Sequence, residues 1–586
     1  MSELRTRLEH HVSRIYPPET VPHLVNALLE RVAAAAPADR DSASKQDAAP
    51  PDATPPEKWS EDDVMLITYG DSIMHRDEPP LETLRGFVRE HLADTVSGVH
   101  ILPFYPYSSD DGFSVIDYAR VRDDLGSWDD VQALAGETTL MVDLVINHVS
   151  VESDWFQQFL AGEPPGEAYF LSYPGDTDVA SVVRPRPHRV LVPFDTAQGE
   201  RHVWATFSDD QVDLDFSNPD VLLEMVDILF FYLARGARWI RLDAVGYLWK
   251  ELGTPCIHLG QTHEIVRLLR SLAEAVEPRA VLISETNVPN VENLTYFGNR
   301  NEAHAIYNFS LPPLLVDALI QGRSRYLRLW MMSMPPAPFG CAYFNFTASH
   351  DGIGLRPAEG LLEADDIATL VDTMRRFGGE ISERALADGS LAPYEMNITL
   401  FDALKGTVDG EDEHQEARFL CSQAIMLGLE GVPAVYIHSL LACPNDTDGM
   451  RETGRARSIN RHRWDGERLD ALLADPSTPQ ARVLAALSEL IRIRRRQPAF
   501  HPNATQYTLQ LPNELFGFWR QSPRREQSIF AVHNLAPTRQ ALPLSSLNLI
   551  ATDPWLDLIG DTRIDDLSGS LQLAPYQSLW LTNLAS

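Results

Sequence analysis

The sequence predicts an α/β protein: a (β/α)8 (TIM) barrel with two loop insertions, followed by a small antiparallel β domain. Three observations carry this expectation. Eight short, continuously apolar runs recur along the chain, most of them separated by longer helical patterns; after Phe500 the pattern changes to short alternating segments; and 44% hydrophobic residues in 586 give ample material for a large core.

The chain opens with apolar residues at helical spacing, Leu4, Leu8, Val12 and Ile15, then Val21, Leu24 and Leu28. These predict an N-terminal helical extension over residues 1–32 that packs on something else. Residues 33–60, rich in Ala, Pro, Asp and Ser, cannot bury a core and read as a flexible linker. The barrel is expected over 61–500. Its strands are predicted at VMLITY (64–69), GVHILPF (98–104), TLMVDLVINH (139–148), WIRLDAVG (239–246), AVLISET (280–286), AIYNFSLP (305–312), AYFNFTASHD (342–351) and GVPAVYIHS (431–439). Unbroken apolar character, without alternation, is what parallel strands covered on both faces require. The helix before the fourth strand shows the expected punctuation, with Pro219 at its start and Gly236 beyond its end. Insertions are expected at about 149–215, rich in Pro, Asp and Ser, and at about 352–412. Residues 501–586 carry alternating runs (TQYTLQL, LFGFWRQS, QSIFAVHNL, SLWLTNL) that predict the β domain.

The formal charge of −34 excludes nucleic acid and anionic membrane as expected partners, because phosphate binding needs positive field. Four scattered cysteines, Cys256, Cys341, Cys421 and Cys443, suit neither a disulfide scaffold nor a zinc site. The charged N-terminus has no apolar signal core, and no apolar run approaches the ~20 residues that span a bilayer. A cytoplasmic protein is expected, with a homodimer open.

In such a barrel the reacting groups stand at the carboxyl ends of the strands. Those ends carry Asp143, Asn147 and His148 (third), Arg241 and Asp243 (fourth), Glu285 (fifth), and His350 with Asp351 (seventh). Retaining glycosyl transfer needs one ionised carboxylate as nucleophile and one protonated carboxyl as acid, ~5 Å apart. Asp243 suits the nucleophile, since Arg241 two residues earlier on the same face keeps it ionised. Glu285 suits the acid and then the base, with burial raising its pKa.

DLVINH, RLDAVGY, ISET and ASHD resemble the four ordered motifs of the α-amylase clan, glycoside hydrolase family 13. GFSVIDYARV, LGSWDDV, RPRP, SHDGIG and SINRH narrow the resemblance to the sucrose phosphorylase subfamily, over all but about the first 60 residues. The resemblance implies that Asp351 is the third acid, gripping sugar hydroxyls. It also implies that His148 and His350 hydrogen-bond the glucose ring, that Asp110 and Arg457 close the far end of the glucose pocket, and that Tyr247 stacks near the nucleophile. Arg186, in the basic cluster Arg184, Arg186, His188 and Arg189, matches the subfamily's phosphate-handling arginine, which suits an acidic protein that must bind an anion. Tyr394 lies in the acceptor loop LAPYEMN. There the chain departs from sucrose phosphorylases, which carry an Asp and a Gln around the tyrosine where this chain has Ala392 and Glu395. A long N-terminal extension and the PYE loop look most like the glucosylglycerate phosphorylases. Ala392 removes an acid that would repel a carboxylate; Glu395 opposes one unless it pairs with an arginine.

The implied activity is that of a retaining glucoside phosphorylase that transfers glucose from glucosylglycerate to phosphate. The alternatives are a sucrose, sucrose 6-phosphate or glucosylglycerol phosphorylase, or an α-glucosidase or transglucosidase of the clan. The expected partners are a sugar and phosphate. No cofactor beyond this co-substrate and no metal are expected, since Asn147 stands without the clustered oxygen ligands that calcium requires.

Overall fold

The computed structural model describes residues 2–35, 57–186, 188–385, 390–550 and 553–583. Eight parallel strands close into a barrel: β1 (Met65–Thr68), β2 (Gly98–Ile101), β3 (Thr139–Val145), β4 (Ala237–Asp243), β5 (Val281–Ser284), β6 (Ala305–Tyr307), β7 (Ala342–Asn345) and β8 (Val432–Tyr436). Seven fall inside the runs expected from the sequence; β4 begins two residues before its expected run, at Ala237. The strands are buried almost throughout, which is why their sequences do not alternate. Register sets the site: Arg241 lies opposite Asp143 on β3 and Ile283 on β5, so the carboxyl ends of β3, β4 and β5 finish side by side.

Helix α1 (Ser2–Ile15) and helix α2 (Val21–Ala35) form the N-terminal extension. Helix α3 (Pro219–Ala234) precedes β4, and helix α4 (Gly260–Val276) joins β4 to β5. The Asn218 side chain caps α3 by accepting from the Asp220 amide, and Pro219 fits the first turn, where its missing N–H costs nothing. The extension continues three residues beyond the expected boundary, to Ala35. Part of the expected linker is anchored: Trp59 is buried edge-on against Trp239, and Lys58 donates to the carbonyls of Pro278 and Ala280. The rest of that segment, 36–56, lies outside the described residues.

The first insertion is more regular than its composition suggested. It holds a helix (Asp154–Ala161) and a three-stranded antiparallel sheet (Ser172–Tyr173, Leu191–Thr196, Gly199–Trp204). The second contributes a helix (Ala364–Arg376) and a hairpin whose strand Leu391–Asn397 carries Tyr394 and Glu395 into the barrel mouth. Beyond Phe500 lies a six-stranded antiparallel sheet. Its strands Thr505–Thr508, Leu515–Gln521, Ser528–Asn534 and Ser578–Thr582 match the four expected segments; Trp555–Asp557 and Thr562–Ile564 are additional. Buried Arg520 ties this domain to the barrel by donating to the carbonyls of Gly428 and His501. Among the described residues no helix is long and apolar enough to cross a membrane.

Candidate active site

A cavity of about 290 Å³ opens at the carboxyl ends of the strands, within the range of small-molecule sites. Asp243, Glu285 and Asp351 line it, with Asp110, His148, Arg186, Arg241, Tyr247, His350, Tyr394 and Arg457. The residues expected to form one site are thus brought together from the ends of five strands, both insertions and the segment after β8.

Residue spacing on β4 builds the centre. Two positions apart on a strand, Arg241 and Asp243 share a face. Arg241 Nη1 donates to Asp243 Oδ1 (2.7 Å) and to Asp143 Oδ1 (2.5 Å), while Nη2 stands 3.8 Å from Glu285 Oε1. Asp143 is held in turn by His100 at 2.7 Å. Glu285 Oε2 accepts from the Ala244 amide (3.0 Å). Ala244 is held in left-handed conformation at φ 54°, a strained state that turns the chain sharply after the strand.

Burial pushes the Asp243 carboxyl well up, against Arg241, and Glu285, Asp143 and Asp351 add to the rise. Burial likewise raises Glu285, again against Arg241 and with Asp351 adding. The two therefore titrate as a pair that retains a proton where isolated carboxylates would have lost both. That proton belongs on Glu285, because Asp243 has a guanidinium at hydrogen-bond distance and Glu285 does not. Asp351 is the opposite case: burial works to raise it, but Arg457, then His350 and Arg241, hold it well below the ordinary range. Burial pushes His350 down to about 3, so it is neutral; its Nδ1 is buried without a partner among the described residues, and its ring stacks on Phe113 at 4.7 Å. His148 Nε2 contacts the Phe113 carbonyl (3.0 Å) and the Gln211 amide (3.2 Å).

Asp110 and Arg457 both line the cavity and stand 3.8 Å apart, and Arg457 has closer partners in Asp351 (2.7 Å) and, bidentately, Glu395 (2.9 and 3.1 Å). Asp110 lies closer to Arg461 (3.3 Å), which also binds Asp111 (2.6 Å). Glu395, which also accepts from the Gly352 amide (3.0 Å), is fully buried and has its charge matched. The basic cluster also divides: Arg186 lines the cavity, its guanidinium 5.5 Å from the Tyr394 ring centre, whereas Arg184, His188 and Arg189 do not line it. His188 is instead spent on the Ala205 carbonyl.

Sequence reasoning missed four contributors. Arg455 lines the cavity, and neither it nor Arg186 has a carboxylate ion-pair partner among the described residues. Asn287 presents at the cavity wall a buried Oδ1 that has no partner among the described residues, a position with no signal in the sequence. Arg461 sits within SINRH, so its signal was present. The Lys250 side chain is buried, with Nζ on Asn147 Oδ1 (2.9 Å) and Asp213 Oδ2 (2.8 Å). Among the described residues no group of three or more His, Cys, Asp or Glu could hold a metal ion.

Residues 92–333 match the α-amylase catalytic domain. The chain is 44% identical over 530 residues to a glucosylglycerate phosphorylase of Spirochaeta thermophila, covering 89% of this chain and 90% of that one. It is 42% identical over 581 residues to one of Allomeiothermus silvanus, covering 99% of each, so that match takes in both α1 and α2. Among solved structures, the crystal structure of sucrose 6F-phosphate phosphorylase from Thermoanaerobacter thermosaccharolyticum superposes with a TM-score of 0.70 at 26% identity, over 81% of this chain and 94% of that one.

Proposed function

We propose, on the premise that the chain belongs to the glucosylglycerate phosphorylases of the α-amylase clan, that it transfers glucose from glucosylglycerate to inorganic phosphate with retention. Asp243 attacks the anomeric carbon while Glu285 gives its proton to the departing glycerate oxygen. The glucosyl unit is then held as an ester on Asp243. Phosphate attacks from the vacated side and yields its proton to Glu285, and the C–O bond to Asp243 breaks. Two inversions give α-glucose 1-phosphate. Arg241 keeps Asp243 ionised, and Asp351, held ionised by Arg457, grips sugar hydroxyls beside His350.

One observation carries the reading of the acceptor. Arg241 and Arg457 form ion pairs with carboxylates, whereas Arg186 and Arg455, lining the same cavity, form none among the described residues. In a chain of formal charge −34, two guanidiniums at one mouth without an ion pair among the described residues make a place for an anion. Phosphate and glycerate are both small anions that occupy the acceptor side in turn. Glu395 does not repel them, because Arg457 and the Gly352 amide already hold it. Asn287 Oδ1 is free to accept from an acceptor hydroxyl. The test supplies glucose 1-phosphate with glycerate, glycerol, fructose or fructose 6-phosphate and follows phosphate release. Fastest release with glycerate is expected. Fastest release with glycerol or a fructose acceptor would overturn the glycerate assignment, and liberation of glucose by water alone would overturn phosphorolysis.

A further inference from the structure

The loop 244–259, which follows the nucleophile strand, contributes Ala244, Gly246, Tyr247, Ile257 and His258 to the cavity wall. It is strained. Ala244 (φ 54°), Cys256 (φ 52°) and His258 (φ 56°) are all left-handed without being glycine. Such residues persist only where their surroundings over-determine them. Within the loop, the His258 amide bonds the Gly246 carbonyl at 2.9 Å, and Pro255 accepts from the Val183 amide (3.0 Å) in the segment that leads to Arg186. The acceptor wall and the phosphate-side arginine therefore share one backbone support.

That support reaches the N-terminal helices by two routes. Buried Tyr16, at the end of α1, donates its hydroxyl to the Phe216 carbonyl (2.9 Å) and sets its ring edge-on to Trp249 in the middle of the loop, 6.4 Å between centres. Trp249 is also fixed to α4, its amide donating to Thr262 Oγ1 (3.3 Å). The second route is polar. Buried His11 (2.7 Å) and Arg14 (3.1 Å) hold Glu264; Arg267 bridges Glu264 (2.6 Å) to Glu302 (2.5 Å); and Glu302 fixes His263 at 2.7 Å. The His263 ring packs on Tyr296, 4.8 Å between centres, and the Tyr296 hydroxyl meets His258 Nδ1 at 2.7 Å. A surface helix is thus connected, contact by contact, to Trp249 in the loop and to His258, a left-handed residue of the cavity wall.

We propose that the N-terminal helices are a positioning device for the acceptor side of the active site, with Tyr16 and His11 as positioning residues that hold the loop 244–259 in its strained conformation. Neither residue lines the cavity. Loosening the loop shifts Tyr247, His258 and the backbone before Arg186, so the glucosyl ester on Asp243, however fast it forms, is passed to the acceptor less often and to water more often. This rests on the phosphorylase reading above, in which that ester is partitioned between acceptor and water.

The partition is the test. Full-length enzyme with glucose 1-phosphate and a fixed glycerate concentration gives glucosylglycerate and free glucose from the same intermediate, so their ratio is independent of the fraction of enzyme folded. Tyr16→Ala is expected to lower the ratio about tenfold, since a small displacement far from the chemistry can cost up to ~100-fold. Tyr16→Phe, which keeps the ring against Trp249, is expected to restore most of it. A ratio equal to wild type in Tyr16→Ala, with only thermal stability reduced, would overturn the proposal and leave the helices as packing alone. If Tyr16→Ala does not fold, His11→Gln takes its place, with a roughly threefold fall expected on the same grounds and an unchanged ratio overturning the idea. If wild-type enzyme forms no glucosylglycerate, the glycerate reading has failed separately, and the same ratio taken with whichever acceptor the enzyme does use decides the role of the helices.

Discussion

Asp243 is under opposed electrostatic demands: burial among other carboxylates favours its neutral form, and one guanidinium at 2.7 Å favours the charged form. The arrangement resolves them by leaving Glu285 as the acid with the weaker cation contact. Asp243→Asn keeps the size and the contact to Arg241 but removes the nucleophile. Turnover should fall by about four orders of magnitude, as loss of a reacting group does elsewhere, with the melting temperature unchanged or higher. A variant retaining a tenth of wild-type turnover would remove Asp243 from the reaction. At this scale the proposed acids were legible because Asp243 ends β4 and Glu285 directly follows β5, while Asp351, beyond the end of β7, was legible through its motif. Glu395 was not. A glutamate in an acceptor loop reads as repulsion until Arg457, 62 residues later, is seen beside it, and one-dimensional spacing holds no trace of that meeting.

The elements divide by how local their causes are. The eight strands and α3 were legible because apolar runs, Pro219 and Gly236 act within a few residues. The sheet of the first insertion was not, because Leu191–Thr196 buries only its first two residues and its partner Gly199–Trp204 only its last two, leaving no alternation to read. This insertion delivers Arg186 to the cavity. Arg186→Ala should raise the phosphate KM about 10- to 100-fold, the range expected for a lost charge-assisted contact of ~1.5–3 kcal/mol, and leave hydrolysis of the glucosyl intermediate near wild type. Equal losses of phosphorolysis and hydrolysis would make Arg186 a structural residue of the insertion.

The whole molecule buries ionisable groups far from the site as well as within it. Burial depresses His533, in the β domain, to about 3. An unfolded histidine titrates near 6.5, so below that pH the unfolded chain binds a proton that the folded chain refuses. The stability that neutral His533 contributes is therefore complete above about pH 6.5 and falls with pH down to about 3, by ~1.4 kcal/mol per unit. His533→Gln should lose about 1.4 kcal/mol less stability than wild type between pH 7.0 and 5.5, read from urea midpoints; identical acid sensitivity would contradict the assignment. Long-range ties of this kind, like Lys250 to Asn147 and His11 to Glu264, arise from closure of the barrel and lie beyond what motif and period can reveal.

In the proposed reaction glucose passes through Asp243 to phosphate with two inversions. Proton NMR of glucosylglycerate mixed with phosphate and enzyme, recorded over the first minutes, reads the anomeric configuration of the product directly. α-Glucose 1-phosphate is expected as the first sugar product, in step with glycerate release. β-Glucose 1-phosphate, or free glucose without any sugar phosphate, would contradict it.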